Sequence, residues 1–105
     1  MMTDEEHDIG RVFAALTNDD RRAILQSLRN AHSDGQPGMS IAEIATSVEI
    51  SRFNASHHLA VLRGAGLVHT VADKRRQISS LVPNVLEEAV DWLISLVEEA
   101  HRTLN

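Results

Sequence analysis

The 105-residue sequence contains no cysteine. Without thiols it cannot form a disulfide framework, a thiolate zinc or iron–sulfur site, a cysteine nucleophile or a thiol redox sensor. It also has no uninterrupted apolar run near the ~20 residues that cross a bilayer. Residues 1–6 are acidic, whereas a secretory signal is basic and then apolar. These absences lead us to expect a cytoplasmic protein with no membrane partner.

Proline and glycine are scarce, with two and five residues, and most of them stand at predicted element boundaries. Apolar residues make up 43% and charged residues 24% of the chain, as in an ordinary globular protein. The length predicts a single domain, residues 1–105, with a real but small hydrophobic core.

The net charge of −5 is unevenly distributed. Residues 1–10 and 87–105 each carry a net −4, residues 11–49 carry −1, and residues 50–86 carry +4. A cationic segment between two acidic ends predicts an anion-binding surface on an otherwise acidic body. The alternative is that the negative charge only keeps the protein in solution.

Apolar residues recur at helical spacing in five segments, and three of these have capping signals. Thr3-x-x-Glu6 and Ser40-x-x-Glu43 are capping boxes, and Asn18 is a candidate N-cap. The predicted helices cover about residues 3–16, 18–31, 40–48, 51–64 and 84–103.

Between the fourth and fifth helices the apolar pattern changes to a period of two. Two alternating or β-branched runs within residues 67–82 flank the tip Asp73-Lys74-Arg75-Arg76, and Pro83 blocks further strand pairing. This pattern predicts a two-stranded hairpin with a cationic tip.

Residues 40–64 form a short capped helix, a three-residue turn and a second helix, which predicts a helix-turn-helix. The hairpin that follows makes the unit a winged helix. We therefore expect a mostly α-helical protein with a small β-hairpin, in the order α-α-α-α-β-β-α.

The second helix of this pair has two chemically different faces. Ala55, Leu59 and Leu62 form an apolar stripe that would lock the helix to its neighbours, while short polar residues on the other side suit the major groove. Arginine pairs bidentately with guanine, asparagine with adenine, and serine with either. The residues expected to contact bases are Arg52, Asn54, Ser56 and His57.

The cations of the hairpin tip are placed to meet phosphate or a minor groove. A helix pair that binds no nucleic acid and a solvated cationic turn are the simpler interpretations of each element alone. The residues expected to contact the DNA backbone are Ser40, Ser51, His58, Arg63, Lys74, Arg75 and Arg76.

Two stretches resemble a known family. Residues 15–25, ALTNDDRRAIL, resemble the opening of ArsR-type winged-helix repressors, and residues 51–68 are similar to that family's recognition helix and its exit into the wing. In the second stretch serine, histidine-leucine, leucine-arginine and alanine-glycine-leucine-valine all fall at matching positions. The resemblance covers roughly residues 12–82.

The resemblance implies a homodimer that is joined through its first and last helices, binds an inverted-repeat operator and represses transcription. The apolar faces of those helices supply the candidate interface. Its expected residues are Ile9, Val12, Phe13, Leu86, Ala89, Trp92, Leu93, Leu96 and Val97.

Two positions depart from the family pattern. Lys74 stands where the family usually has glycine, and Ser79-Ser80 stands where an aromatic residue is common. Because of both departures, the geometry of the wing and its DNA contacts can differ from those of the family, whereas the fold is expected to be the same.

Many relatives sense metals, but the cysteine site of the third helix is absent here. Asp91, Glu98 and His101 on the last helix are weak candidate metal ligands, and a solvated acidic helix is the simpler interpretation. We therefore expect no metal and no cofactor, and the inducer, if one exists, stays unknown.

Enzyme interpretations fail because the sequence has no glycine-rich phosphate loop, no metal-ligand set and no nucleophile elbow. Two alternatives to a metal-independent repressor stay open. One is a winged-helix protein-interaction module with weak DNA binding. The other is a repressor controlled by metal through the acids and histidine of the last helix.

Overall fold

The computed structural model describes the backbone of residues 4–104 and the side chains of residues 9–104. The predicted order of four helices, a hairpin and a last helix is confirmed. The Thr3–Glu6 capping box lies outside the residues whose side chains are described. Within the described part the elements are α1 (Asp4–Leu16), α2 (Asp19–Ser33), β1 (Met39–Ser40), α3 (Ile41–Val48), α4 (Arg52–Gly64), β2 (Val68–Asp73), β3 (Arg76–Leu81) and α5 (Asn84–Leu104).

Capping side chains fix where the helices of the first half begin. The Asn18 side chain accepts a hydrogen bond from the backbone N–H of Arg21 at 3.0 Å, which caps α2 as predicted. Such a bond satisfies one of the free N–H groups at a helix start. At the far end of α4 the chain turns at Gly66, whose φ of +79° favours glycine.

The core lies where α1, α2, α3 and α4 meet, and it is closed by the start of β2 and by α5. Each helix contributes the apolar stripe that its spacing predicts, and α4 contributes three fully buried residues. The largest fully buried side chains are those of Val12, Ile24, Leu28, Ile44, Leu59, Leu62, Leu67 and Ser79.

The sheet has three antiparallel strands in the order β1-β3-β2, so the hairpin is joined by one strand that was not predicted. β1 is only two residues long and carries no alternating pattern of its own. It forms because Gly38 lets the chain approach β3 closely: a Cβ at this position would overlap the Ser79 carbonyl oxygen.

The last helix, α5, is 21 residues long and packs against α1 near its start. Of its residues only Ala89 is buried, and the second half of the helix is exposed along its length. Among the described residues, no helix combines the length and the hydrophobicity that a membrane span requires.

Candidate nucleic-acid interface

The start of α3 is held by the predicted capping box. The Ser40 hydroxyl accepts a hydrogen bond from the Glu43 N–H at 3.2 Å, and the Glu43 carboxylate accepts one from the Ser40 N–H at 2.9 Å. These hydrogen bonds, together with the nearby Arg76 guanidinium, lower the pKa of Glu43 below its ordinary value. Ser40 itself is buried in this arrangement.

The turn between α3 and α4 is equally well defined. Glu49 ends α3 in the left-handed region, with φ +62° and ψ +46°. Two residues later the Ser51 hydroxyl accepts a hydrogen bond from the Asn54 N–H at 3.0 Å and caps α4. The turn and both caps together fix the direction in which α4 leaves the core.

The two faces of α4 differ as predicted in their exposure. Ala55, Leu59 and Leu62 are fully buried against the other helices. The side chains predicted to contact bases are all exposed, and they stand on the first two turns of the helix. They are those of Arg52, Asn54, Ser56 and His57.

The side chain of His58 faces α2 and is mostly buried, with 12% of its surface exposed. Its Nδ1 lies 3.4 Å from a guanidinium nitrogen of Arg21, and its Nε2 lies 3.8 Å from a carboxylate oxygen of Asp20. Because arginine can only donate, Nδ1 is the acceptor in this contact. Arg21 also donates from Nε to the Ala15 carbonyl oxygen at 2.7 Å. The imidazole therefore ties α4 to α2, and its predicted contact with the DNA backbone stays a prediction.

Two arginine side chains join the hairpin to the helix-turn-helix, one of them next to the turn of the hairpin. Arg76 donates a 2.7 Å hydrogen bond to the Glu43 carboxylate, which joins β3 to α3. Arg63 of α4 donates to the Thr70 hydroxyl of β2 at 3.3 Å. The side chains of Lys74 and Arg75 are exposed at the tip.

The two departures from the family pattern have physical consequences in the structure. Lys74 has a φ of +61°, the left-handed conformation that glycine adopts most easily. Ser79 is buried and lies opposite Thr70 in the strand register, where their hydroxyl oxygens are 2.8 Å apart. A polar cross-strand pair therefore stands where an aromatic side chain is common.

Phe53 was not among the predicted site residues, yet its side chain is 82% exposed on the first turn of α4. At 100° per residue, Phe53 lies opposite the buried stripe of α4. The spacing alone could have identified it as a surface residue.

The predicted interface residues of α1 and α5 divide into two groups. Val12 and Ala89 are buried in the core of the subunit, which leaves them almost no surface for a second copy. Phe13 packs on Trp92 with ring centroids 5.6 Å apart. The remaining residues are half-buried or exposed: Ile9, Phe13, Leu86, Trp92, Leu93, Leu96 and Val97.

The weak metal candidates do not form a cluster. Asp91, Glu98 and His101 are all exposed on α5. Among the described side chains, no group of three or more histidine, cysteine, aspartate or glutamate residues is placed to hold a metal ion.

Comparison with known proteins gives consistent matches. A family described as a helix-turn-helix domain matches residues 16–71. The transcriptional repressor SdpR of Bacillus subtilis is 26% identical over 96 residues, which cover 91% of this chain and 100% of the repressor.

Two solved structures are similar over nearly the whole chain. An ArsR-like transcriptional regulator from Rhodococcus sp. RHA1 has a TM-score of 0.77 at 27% identity, covering 97% of this chain and 91% of that one. The homodimeric winged helix-turn-helix DNA-binding domain Mb0332 from Mycobacterium bovis has the same fold. Its TM-score is 0.67 at 24% identity, covering 99% and 94% of the two chains. The chain therefore belongs to the helix-turn-helix domain family and is a transcriptional regulator of the ArsR type.

Proposed function

We propose that this regulator binds double-stranded DNA sequence-specifically as a homodimer, at an inverted-repeat operator, and represses transcription in the cytoplasm. The observation that carries the proposal is the two-faced α4. Its back is completely buried, so the helix is rigidly held, and its front presents hydrogen-bonding side chains to solvent. This is the arrangement that a recognition helix needs in a major groove.

The proposed base contacts follow from the chemistry of the exposed side chains. Arg52 has the paired donors that fit guanine O6 and N7, and Asn54 has the donor and acceptor that fit adenine. Ser56 and His57 stand one turn further along and reach the neighbouring base pairs. All four side chains are exposed.

The proposed backbone contacts centre on the hairpin tip. Lys74 and Arg75 extend from the end of the sheet without being drawn back to the body, whereas Arg76 and Arg63 are held by Glu43 and Thr70. We assign the first two to phosphate or to an adjacent minor groove. The others contribute positive potential near the helix-turn-helix, with lesser contacts proposed for Ser40, Ser51 and His58.

The homodimer is proposed from the exposed apolar surface of α5. Val90, Leu93 and Val97 recur at spacings of three and four, and each exposes nearly half of its surface or more. Together with Trp92 and Leu96 they form a contiguous exposed apolar face, a feature that marks protein–protein interaction sites. The relative Mb0332 is described as homodimeric. Two copies joined here would present two α4 helices to major grooves about 34 Å apart.

Repression and a purely binding role are proposed from the relatives. The Bacillus subtilis relative is named a transcriptional repressor, and the solved relatives are named transcriptional regulators. A dimer that covers an operator needs no chemistry of its own, so we assign no catalytic role to the exposed histidines and serines of α4.

The test is selection of binding sequences from a random duplex library, followed by affinity measurements at two salt concentrations. We expect an inverted-repeat motif. Between 50 and 200 mM salt, a protein that makes 6–10 phosphate contacts loses about 10³–10⁵ in affinity. A dimeric protein that enriches no motif would instead support an interaction module, whose apolar binding surface is nearly indifferent to salt.

A further inference from the structure

Phe53 is the one aromatic side chain that the described part of the helix-turn-helix leaves in water. It is 82% exposed, a value matched only by Leu104 at the end of α5 among the large apolar residues described. An aromatic ring that stays in solvent forgoes the favourable free energy of its burial. Contact of the ring with a binding partner of the subunit would account for its exposed position.

The position of Phe53 on α4 is specific. It follows directly on the Ser51 cap and the first helical residue, Arg52, and Asn54 comes next. His57 lies one turn further on the same face, because residues four apart share a side of a helix. The ring therefore stands among the side chains that are proposed to contact bases.

The surroundings of Phe53 differ from the apolar face of α5. On α5 several large apolar side chains adjoin one another, whereas the helical neighbours of Phe53 on the exposed face are polar. A single ring among hydrogen-bonding groups is a poor surface for a second protein, whose interface has a contiguous apolar centre. It fits a target that is mostly polar and has one apolar feature.

The major groove of DNA is such a target, because the thymine C5-methyl group is its one apolar feature. We propose that Phe53 is a specificity-determining residue that packs against a thymine methyl group in each half-site. The inference rests on the proposed function, since it requires α4 to lie in a major groove. It adds a contact that reads thymine by shape and apolarity, beside the polar contacts of Arg52 and Asn54.

The test compares two random duplex libraries, one made with thymine and one made with deoxyuridine in its place. Deoxyuridine pairs identically and lacks only the methyl group. We expect the native protein to select one thymine position per half-site from the first library and to lose that preference in the second. Substituting deoxyuridine there should weaken binding about fourfold for each half-site, the effect of about one buried methylene-sized group.

Two variants connect the effect to the ring. Phe53→Ala should bind the thymine and deoxyuridine operators equally, while Phe53→Leu, which keeps an apolar side chain, should retain part of the difference. Both variants should keep the thermal unfolding and the salt dependence of the native protein, because the ring is exposed and uncharged.

The outcomes separate this inference from the proposed function. A motif selected equally from both libraries, with no fourfold difference for the native protein, would overturn the role of Phe53 and leave the proposed function standing. The absence of a motif from either library would overturn both. An unchanged deoxyuridine effect in Phe53→Ala would assign the methyl contact to another residue.

Discussion

The helices α4 and α5 differ in how much of their apolar surface is buried within the subunit. On α4 the apolar stripe is fully buried within the subunit, and the exposed side is polar except for Phe53 and the small Ala60. On α5 only Ala89 is buried, and a continuous set of large apolar side chains stays exposed. The packing of α4 is complete in one chain, whereas that of α5 is not.

Because of this difference, the two helices suit different kinds of binding partner. A helix whose back is buried and whose front carries donors and acceptors suits a polar target such as the edges of bases. A helix with a wide exposed apolar face is stabilised by covering that face with another apolar surface. We therefore assign DNA to α4 and a second copy of the chain to α5.

The sharpest contrast is expected between Leu59 of α4 and Leu104 of α5. Leu59→Ala removes a fully buried side chain and leaves a cavity, which should lower the free energy of unfolding by about 2–5 kcal/mol. Leu104→Ala changes a side chain that is mostly in water and should stay within about 0.5 kcal/mol of the native protein. Urea denaturation at one fixed protein concentration measures both. Equal losses would contradict the burial assigned to α4.

The role of α5 is tested by placing a charge on its apolar face. Val97→Glu should raise the dimer dissociation constant by at least about tenfold, which is 1.4 kcal/mol, because burying an unpaired carboxylate is costly. Ser95→Glu adds the same charge about 160° away around the helix and is the matched control. Sedimentation equilibrium measures both. A dimer unaffected by Val97→Glu would show that the chain associates through another surface.

At the tip of the wing, backbone conformation and charge can be separated. Lys74→Gly should raise the free energy of unfolding by about 0.5 kcal/mol, because glycine adopts the observed φ of +61° without a Cβ penalty. Lys74→Ala removes the same charge without relieving the backbone and should not stabilise the protein. Both should weaken DNA binding alike if the lysine contacts phosphate. Thermal unfolding and binding measured on the two variants decide this.

The smallest effect is expected at Glu43, whose carboxylate joins α3 to the hairpin through Arg76. The folded-state pKa of Glu43 is lowered, chiefly by hydrogen bonds from Ser40 and also by Arg76, so its carboxylate stabilises the fold above the unfolded pKa near 4.5. That contribution is lost as the pH falls through the lowered folded value. The stability advantage of the native protein over Glu43→Gln, measured by urea denaturation, should therefore shrink below about pH 4.5. A difference that does not change with pH would mean that the charge contributes nothing.

The elements that follow local rules were predictable from the sequence. The Ser40–Glu43 capping box, the Asn18 cap and the buried stripe of α4 depend on residues within one or two turns of each other. Such signals are visible in the spacing of residue types. The structure confirms them at the predicted places.

The features that sequence reasoning missed depend on contacts between distant residues. β1 is held by β3, about forty residues later, and its two residues carry no pattern of their own. The contacts that His58 makes with Asp20 and Arg21 of α2 also join residues far apart in the chain and could not be seen in the sequence of its own helix; its contact with the DNA backbone stays a prediction. Val12 was placed at the dimer interface from its apolar spacing, which cannot distinguish a core from an interface.

The central claim is that α4 reads bases while the wing tip holds phosphates, and one comparison tests it most directly. The affinities of Asn54→Ala and Arg75→Ala for the selected operator and for a scrambled duplex are measured over a range of salt. For Asn54→Ala we predict a loss of roughly 1–3 kcal/mol on the operator alone, with relaxed preference at one base position. For Arg75→Ala we predict a similar loss on both duplexes and a shallower salt slope. If Asn54→Ala kept the native ratio of operator to scrambled affinity, the assignment of the α4 front to base recognition would be contradicted.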